Sequence, residues 1–429
     1  MNALPKAFDL IFIAPQGSVS LSQDPIVKIL IVTQYFWPEN FRINDLVLGL
    51  IERGHQVDVY TGLPNYPQGR FFDGYGLGGP YHQRYHDKIN VIRCPLIPRG
   101  QKKGIQLFLN YFSFAFLASL LAPFLVRKKY DCIFVYQLSP VSAGLPAVIL
   151  KFFKKIPIYF WVTDLWPESL KATGAVKSKT IIELVAKFVR FLYSQSDVIL
   201  VSSKGFINKI VAQHVPLSKI HYWPQWAENL FLTKIEHDDE KIKSEIPAGF
   251  RVMFAGNIGT AQSFETIIEA AIILKDRPEI QWIVLGDGLQ RPWAEEQKIK
   301  HGLKNFHLLG TRPIEKMPQY FHYADVLLAS LKKDPLFAIT VPGKIQAYMA
   351  SGKPLIVSMD GEGAELVKES GCGIACEANN AQELAEAVLK MYSFSSEKRS
   401  EMGNMAHSFF LDNFEREKLL SKLENLMQQ

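Results

Sequence analysis

A short segment, Thr340–Pro354 with the sequence TVPGKIQAYMASGKP, combines residue types that bind phosphate groups. Pro342 and Gly343 precede a helical run that ends at Gly352, and proline at the start with glycine at the end is typical of a helix. Lys344 falls in the first turn, where the helix dipole disfavours a cation unless an anion lies against it. The segment therefore predicts a phosphate or diphosphate site. The alternative is a solvated lysine on a helix surface.

Three further glycine-containing turns follow apolar runs in the same half of the chain. They read FAGNIGTAQSF (Phe254–Phe264), VLGDGLQR (Val284–Arg291) and LLGT (Leu308–Thr311). A glycine turn between a strand and a helix brings backbone N–H groups close to a ligand. One such turn is equally typical of a plain strand–helix connection. Four glycine-rich strand ends in one half of the chain favour a shared anion site.

The elements that must position these turns alternate along the chain from Val27 onward. Apolar runs read VKILIVTQYF, QVDVYTG, YDCIFVYQ, IPIYFWVTD and SDVILVSS, and after a junction near residues 221–231 they read FRVMFAGNIG, IQWIVLGDG, FHLLGT, ADVLLASL, KPLIVS and GCGIAC. Runs that are apolar on both faces are typical of parallel strands covered by helices. The pattern predicts two doubly wound α/β domains, with the ligand site in the cleft between them.

Composition and charge limit the function classes. The chain has 429 residues, of which 48% are hydrophobic and 21% charged, as expected for a globular protein with sizeable cores. Residues 1–235 carry 26 Lys and Arg against 14 Asp and Glu, whereas the remainder carries 22 against 28. A basic first half favours an anionic partner, such as a membrane or a phosphate-bearing substrate, and the alternative is two differently solvated surfaces. Since no nucleic-acid module is recognisable, no nucleic-acid partner is predicted.

The four cysteines do not suggest a metal site. Cys94 and Cys132 lie far apart in the chain, and Cys372 and Cys376 have no nearby His or Cys. We interpret all four as buried thiols in a reducing compartment, and we predict no metal and no cofactor.

One segment, Ile105–Val126, is uncharged over 22 residues and is flanked by the basic stretches RGQKK and RKK. Its length would just span a bilayer. A strand of the first sheet follows within a few residues, however, so a spanning helix would separate the two halves of one domain. A buried helix and a helix in the membrane interface remain, and the basic flanks favour the interface.

Charged residues in the first half could act on a substrate. The segment WVTDLWPESL places Asp164 and Glu168 where a strand ends and a helix begins. Carboxylates there could stabilise an oxocarbenium-like state, or they could serve as a helix N-cap and a helix-dipole partner. Glu39, Arg42 and Asn44 follow the first strand, where an acceptor could dock. Plain surface charge is the alternative for Glu39 and Arg42.

Taken together, these segments resemble family 4 glycosyltransferases of the GT-B fold, in the WbuB-like group of bacterial surface-polysaccharide enzymes. The resemblance is carried by KILIVTQYFWPENFRIND, RGHQVDVYTGLPNYPQG, DLWPESL, AGNIGTAQSFE, LGDG and VPGKIQAYMASGKPLIV…GEGAELV. It implies two Rossmann-like domains facing a central cleft: an acceptor domain over 28–225 and a nucleotide-sugar domain over 226–429, whose last helix could cross back to the first. Residues 1–27 form an N-terminal extension, with Val27 as an alternative start of translation.

The resemblance further implies a retaining, metal-independent transfer from a UDP-N-acetylamino sugar to a polyprenyl-diphosphate-linked glycan of O-antigen or capsule biosynthesis. The enzyme would be a peripheral protein at the inner face of the cytoplasmic membrane. Asp164 and Glu168 would be catalytic, and Glu39, Arg42 and Asn44 would bind the acceptor. The backbone of Leu309–Arg312 would read the base. The donor would contact Gly256, Asn257, Gly259, Gly286, Gly288, Arg291, Gly310, Thr311, Pro342, Gly343 and Lys344.

The chain also departs from this family. Many members carry two glutamates around the Lys344 helix, the second of which binds ribose, and the matching positions here are Ile339 and Ala347. We therefore expect Glu362 or Glu365 to serve the sugar or the ribose, and Lys344 to compensate the diphosphate charge.

Two alternatives stay open. One is a non-hydrolysing UDP-sugar 2-epimerase, which shares the fold, and the other is a non-catalytic nucleotide-sugar-binding relative. An NAD enzyme is disfavoured because no acidic residue follows the glycine turn at the ribose-binding spacing.

Overall fold

The computed structural model describes residues 25–100, 104–172, 174, 176–233, 235 and 239–428. Within these residues the first domain is an eight-stranded sheet in the order β3-β4-β2-β1-β5-β6-β7-β8. Its strands are β1 (Lys28–Val32), β2 (Gln56–Gly62), β3 (His82–Tyr85), β4 (Ile89–Cys94), β5 (Cys132–Gln137), β6 (Ile158–Val162), β7 (Val198–Val201) and β8 (Ile220–Tyr222). The accompanying helices are α1 (Arg42–Glu52), α2 (Gly104–Leu125), α3 (Leu145–Lys154), α4 (Glu168–Ala172), α5 (Lys179–Gln195) and α6 (Gly205–Val211).

The second domain has, in the described part of the chain, a six-stranded parallel sheet in the order β11-β10-β9-β12-β13-β14. Its strands are β9 (Phe250–Ala255), β10 (Ile280–Leu285), β11 (Phe306–Gly310), β12 (Val326–Ser330), β13 (Leu355–Ser358) and β14 (Gly373–Cys376). The helices that follow the first domain are α7 (Glu240–Glu245), α8 (Phe264–Ile273), α9 (Arg291–His301), α10 (Met317–His322), α11 (Lys344–Ala350), α12 (Glu362–Ser370), α13 (Ala381–Ser393), α14 (Ser396–Asn413) and α15 (Arg416–Met427).

The predicted architecture of two Rossmann-like domains is confirmed. Each apolar run singled out in the sequence contains a strand, and β5, β6 and β12 are buried at every residue, as strands covered on both faces must be. The sequence did not predict β3, β4 or β8. The first of these, HQRY, pairs antiparallel with β4 at the edge of the sheet, and its alternating exposure is typical of an edge strand.

The chain passes from one core to the other between Trp226 and Ala227. Trp226 stacks on Trp161 of β6, with ring centroids 5.7 Å apart and planes within 3°. Ala227 belongs to the core of the second domain. The boundary between the two cores therefore lies within one residue of the predicted domain boundary between 225 and 226. Residues 1–24, most of the expected N-terminal extension, lie outside the described residues.

The last helix, α15, packs on the first domain rather than the second. Leu419, Leu420 and Leu423 are buried in the core that includes α1. Arg416 begins the helix and is almost completely buried, with a 5% exposed side chain. Its guanidinium lies 3.0 Å from carboxylate oxygens of Asp45 and of Glu52, and 2.8 Å from Glu417. Burial lowers the pKa of Arg416, but these carboxylates outweigh it and raise the pKa overall.

Helix α2 lies across the first sheet with one face buried and the other exposed. It connects the end of β4 to the start of β5, two parallel strands of a single sheet, so both of its ends belong to one domain. Within the described residues it is the one helix long and apolar enough to cross a membrane, with a mean hydropathy of 1.7 over an 18-residue window that is one-third buried. Phe114 and Ala118 point into the core, whereas Phe108, Phe112 and Phe116 are each more than half exposed.

Candidate active site

A cavity of about 370 Å³ opens at the carboxyl ends of β9, β10 and β11 in the second domain. Ligands of open α/β sheets bind at this edge, where the strand order reverses. The wall contains residues that the sequence had assigned to a donor site, and also residues that it had not. The predicted members of the lining are Gly256, Asn257, Gly286, Thr311 and Lys344.

The glycine turns allow three strand ends to approach one another closely. Gly256 and Gly286 have φ angles of 135° and 146°, which favour glycine. A Cβ atom on Gly286 would lie 1.9 Å from the carbonyl oxygen of Gly256. The N–H of Gly256 donates to Leu285 O (2.8 Å), and that of Gly286 donates to Gly310 O (2.8 Å). These two N–H groups therefore hold the turns together and are not free to bind a ligand, and the expected donor contact of the turns stays a prediction.

Lys344 extends beneath the first glycine turn. Its Nζ lies 3.8 Å from the ring centroid of Phe254, and 3.1 Å from where a Cβ would stand on Gly256. Although part of the residue is exposed, Nζ itself is buried and has no hydrogen-bond partner among the residues that the structure describes. Burial lowers the pKa of Lys344 to about 7. Such an ammonium is costly unless an anion enters and compensates it.

Other residues predicted to bind the donor pack against the glycine turns. Arg291 Nη1 donates to Gly286 O (3.3 Å), while its Nε pairs with Glu295 (2.9 Å). The Asn257 side chain lies between two predicted glycines, because a Cβ on Gly259 or on Gly288 would come within 2.4 Å or 2.6 Å of it. These residues shape the turn but, apart from Asn257, do not line the cavity.

The start of α11 faces the junction between the domains. A Cβ on Gly343 would lie 3.0 Å from Gln225 Oε1, so the helix start lies close to the end of the first domain. Pro342 and Gly343 are partly buried, and neither lines the cavity. Gly310 is the last residue of β11 and has a φ angle of 80°, and a Cβ there would lie 3.1 Å from Arg291 Nη1.

The two glutamates proposed to replace the missing pair lie away from this cavity, and their role toward the sugar or the ribose stays a prediction. Glu362 Oε2 accepts from Ser203 Oγ (2.5 Å) and from Lys204 N (3.0 Å), and it thereby joins α12 to the start of α6 in the first domain. Glu365 pairs with Lys368 at 2.9 Å on the exposed side of α12. Neither lines the cavity. Ile339 packs against the first-domain core, whereas Ala347 does line the cavity.

Several cavity residues were not identified from the sequence. Phe231, Ile314, Met317 and Phe321 form an apolar wall, which comes from the linker and from the segment around α10. Tyr348 was already within the quoted helical segment. Its hydroxyl accepts from Ala255 N (2.9 Å) and donates to Ala255 O (3.1 Å). A signal for Tyr348 was available, because a residue four positions after Lys344 lies on the same helix face.

The two predicted catalytic carboxylates lie in the first domain and do not line the donor cavity. Asp164 accepts hydrogen bonds from Trp166 Nε1 (3.1 Å) and from Ser169 Oγ. Its carboxylate therefore bonds to residues of its own loop and of the helix that follows. Burial raises the pKa of Asp164 in spite of these bonds. Glu168 keeps one buried oxygen, Oε2, without a hydrogen-bond partner in the described part of the molecule. The catalytic role of both carboxylates stays a prediction.

The three residues expected to bind the acceptor have intramolecular partners instead. Glu39 is 2% exposed and accepts from the N–H groups of Asn65 (2.8 Å) and Tyr66 (2.7 Å). Burial raises its pKa to about 7. Asn44 Nδ2 donates to Glu39 O (2.7 Å), and Arg42 pairs with Glu228 (3.0 Å). This arrangement organises the loops after β1 and β2, and it leaves little for an acceptor to bind.

A different cation, Arg99, occupies the corresponding edge of the first sheet. Its Nη1 donates to the hydroxyls of Tyr35 (3.1 Å) and Tyr111 (3.4 Å). The guanidinium also lies over the rings of Tyr66 (5.2 Å) and Tyr111 (5.8 Å). Tyr111 belongs to α2, so this aromatic cluster borders the apolar helix. No local sequence pattern predicts this cluster, because its members come from four separate segments.

Comparison with known proteins relates both domains to glycosyl transferases. Residues 40–226 match a family described as glycosyl transferase 4-like domain, and residues 249–393 match one described as glycosyl transferases group 1. The chain is 23% identical over 349 residues to the putative colanic acid biosynthesis glycosyl transferase WcaI of Escherichia coli K12, which covers 78% of this chain and 84% of that protein.

Solved structures show the same two-domain arrangement. Anabaena HepE in complex with UDP and glucose superposes with a TM-score of 0.68 at 14% identity, covering 94% of this chain and 100% of that one. Sucrose-phosphate synthase from Thermosynechococcus elongatus superposes with a TM-score of 0.72 at 17% identity, covering 94% and 99%. The fold is therefore the GT-B fold.

Proposed function

Since the chain is a glycosyltransferase of the GT-B fold, we propose that it moves a sugar from a nucleoside-diphosphate donor to a lipid-linked acceptor during polysaccharide biosynthesis. The observation that carries the donor assignment is Lys344, whose buried ammonium lies beneath the glycine turns without a hydrogen-bond partner among the described residues. A diphosphate is a dianion or trianion of the right size to enter a cavity of about 370 Å³ together with a nucleoside. UDP is the nucleotide of the HepE complex, and we propose a UDP-N-acetylamino sugar as the donor.

The proposed reaction is a retaining transfer that needs no metal ion. The bond between the sugar C1 and the diphosphate oxygen breaks, and the electron pair leaves with the diphosphate. An acceptor hydroxyl forms the new bond at C1 on the same face, and its proton passes to the departing phosphate oxygen. Lys344 stabilises the charge that develops on the diphosphate. Glu168, with its unpartnered oxygen in the described structure, is our candidate to stabilise the positive sugar.

A lipid acceptor is supported by the outer face of the first domain. Among the described residues, twelve large hydrophobic side chains are exposed on the three helices α2, α3 and α5, which we call the apolar face. They are Ile105, Phe108, Leu109, Phe112, Phe116, Leu120, Phe124, Phe152, Phe153, Ile181, Leu184 and Phe191. Monomeric soluble proteins rarely expose so large an apolar patch. Cations at its rim suit anionic lipid headgroups, namely Arg127, Lys129, Lys154, Lys155, Lys187 and Arg190.

The apolar face also suggests how the acceptor reaches the cleft. Phe108, Phe112 and Phe116 follow one another along α2 with ring centroids 6.0 Å and 5.9 Å apart. The hydroxyl of Tyr111, in the same helix, accepts a hydrogen bond from Arg99. We infer that a polyprenyl chain lies along α2, while its diphosphate meets Arg99. The protein would then be peripheral on the inner face of the cytoplasmic membrane, with α2 in the interface.

The test of activity is a donor panel with membrane extract as the source of acceptor. The expected result is acceptor-dependent release of UDP and a lipid-linked product one sugar heavier by mass spectrometry. Lys344→Met should abolish both, whereas Lys353→Met, just after the same helix, should not. An epimerised UDP-sugar formed without acceptor would replace this proposal with the epimerase alternative. No turnover with any acceptor, despite UDP binding, would favour a non-catalytic relative.

The membrane proposal has its own test. Phe112→Ser with Phe116→Ser should shift the protein from sedimenting vesicles that contain anionic lipid to the supernatant. Arg127→Gln with Lys129→Gln, and raised salt, should act in the same direction. The matched control is Ile299→Ser, an 81% exposed apolar residue on α9 of the second domain. Unchanged sedimentation in the phenylalanine variants would show that the apolar face does not bind the bilayer.

A further inference from the structure

The wall of the donor cavity next to Lys344 consists largely of carbon. Ala347 lies one helical turn after Lys344 on the same face of α11, and it lines the cavity. Across from it stand Phe231, Met317 and Phe321. Beyond Lys344, α11 contributes two residues to the lining, the methyl group of Ala347 and the side chain of Tyr348.

Two polar side chains on this wall, those of Tyr348 and Arg312, already have partners. The Tyr348 hydroxyl is shared between the N–H and the carbonyl of Ala255. Arg312 donates to Leu309 O (2.6 Å), Thr311 O (3.1 Å) and Glu245 Oε2 (2.9 Å), and its Nε donates to Tyr320. Neither is available to accept a hydrogen bond from a ligand hydroxyl, because an arginine only donates and the tyrosine oxygen is occupied.

We infer that a nucleotide pentose binds in this part of the cavity. In a nucleoside diphosphate the pentose is joined directly to the first phosphate. With the diphosphate against Lys344 Nζ, the pentose falls beside the residue one turn further along the helix, which is Ala347. A ribose presents 2′- and 3′-hydroxyls, and proteins that read the 2′-hydroxyl commonly supply a carboxylate there.

We propose that this site does not read the 2′-hydroxyl, and that it accepts 2′-deoxyribonucleoside diphosphates as readily as ribonucleoside diphosphates. The donor class then extends to deoxyribonucleotide sugars, with Ala347 as the residue that sets this tolerance. A site that hydrogen-bonds a hydroxyl rejects the analogue lacking it, whereas an apolar wall discriminates weakly. The inference rests on the proposed function, because it assumes that a diphosphate binds at Lys344.

One carboxylate in the cavity lining could still reach a pentose. Asp287 stands in the exposed turn after β10, and its Oδ1 accepts from Gly288 N (2.7 Å). It belongs to the turn that carries Gly286, not to the wall formed by α11. If Asp287 reads the ribose, Asp287→Asn will weaken UDP binding and leave 2′-deoxy-UDP binding unchanged.

The test compares UDP with 2′-deoxy-UDP by calorimetry on the full chain. These ligands differ by one hydroxyl, so the comparison isolates the sugar from the base. We expect dissociation constants within about threefold of each other, as for an apolar site. A larger preference for UDP would overturn the inference while leaving the proposed function intact. Binding of neither ligand would overturn both.

Variants at Ala347 provide the second arm. Ala347→Gln adds an acceptor without a charge that could pair with Lys344, and it should create a preference for UDP of about tenfold. Asp287→Asn should leave the ratio of the two affinities unchanged. A ratio that stays near one in Ala347→Gln, with both ligands still bound, would show that position 347 does not face the pentose and would overturn its assignment. The wild-type comparison does not depend on whether either variant folds.

Discussion

Lys344 in the second domain and Arg416 at the start of α15 are both buried cations, but their surroundings differ. Arg416 lies within 3.0 Å of three carboxylates, from Asp45, Glu52 and Glu417. Lys344 Nζ has, in the described structure, a phenyl ring on one side and a glycine turn on the other. The pKa of Arg416 is raised, whereas that of Lys344 is lowered to about 7.

The difference distinguishes a structural charge from a charge kept for a ligand. A buried cation with its carboxylates in place joins two parts of a fold, and here it joins the last helix to α1. A buried cation without them raises the free energy of the empty protein and lowers it when an anion binds. Four measurements test this difference between the two cations.

Arg416→Met should have the largest effect, which is a decrease in the free energy of unfolding. It leaves Asp45 and its neighbouring carboxylates without their cation, and removing one partner from a buried pair costs about 3 kcal/mol. The partners are partly exposed, so solvent moderates this cost. Urea unfolding followed by fluorescence measures it. Lys418→Met, on the same helix and with a 59% exposed side chain, is the control. Equal loss in both variants would refute a special role for Arg416.

Lys344→Met should act on ligand binding and not on stability. Loss of a charge-assisted contact should weaken UDP binding by roughly 1.5–3 kcal/mol. The free energy of unfolding of the empty protein should not fall, because an unpaired buried ammonium is replaced by an apolar chain of similar length. Calorimetry and urea unfolding measure the two quantities, with Lys353→Met as the control. Unchanged UDP affinity would remove the diphosphate role of Lys344.

The pH dependence of UDP binding should be smaller, at about 1 kcal/mol for a one-unit rise above pH 7. The folded, empty protein holds the pKa of Lys344 near 7 against an ordinary 10.5, so the ammonium deprotonates as pH rises through 7. UDP affinity should fall over that range in the wild type. For the same reason, the empty protein should gain stability between pH 7 and 10.5, where the unfolded chain still binds the proton.

Lys344→Met is the control for this pH series. The titration of the UDP phosphate itself is common to both proteins, so the difference between the two curves reports Lys344. Parallel curves would mean that the ammonium is already fully charged, or does not meet the diphosphate.

Glu417→Gln should have the smallest effect, below about 0.5 kcal/mol of stability. Glu417 contacts both Arg416 and Arg53, but its side chain is 48% exposed, so water screens these pairs. Thermal or urea unfolding beside Arg416→Met would show whether the buried arginine or its exposed partner matters. A loss as large as that of Arg416→Met would mean that the partners act as one unit.

Much of the fold could be predicted from the sequence, because parallel strands covered on both faces are long apolar runs. The strands β9 to β14 were all identified in this way. The strand β8 has three residues and β3 is half exposed, so neither carries such a run. The division between 225 and 226 was predicted because a stretch that contains Trp and Pro separates the two alternations.

The candidate site could be predicted only where its chemistry is local. Lys344 in a first helical turn and the glycine turns at strand ends are local patterns, and the structure brings them together. The Gly256–Lys344 contact itself spans 88 positions of sequence, so no local pattern reveals it. The contact of Glu362 with the first domain was missed for the same reason, since its partners Ser203 and Lys204 are distant in sequence. Arg99 was missed because its tyrosines are scattered.

The position of α15 has a consequence for the order in which the protein is made. Synthesis runs from the N-terminus, so the first 226 residues emerge from the ribosome long before Leu419, Leu420 and Leu423. Those three leucines fill a core of the first domain, which therefore stays open during translation of the second. The second domain has all its strands, and α14, before residue 416 appears. The domain that is synthesised first is consequently the one completed last.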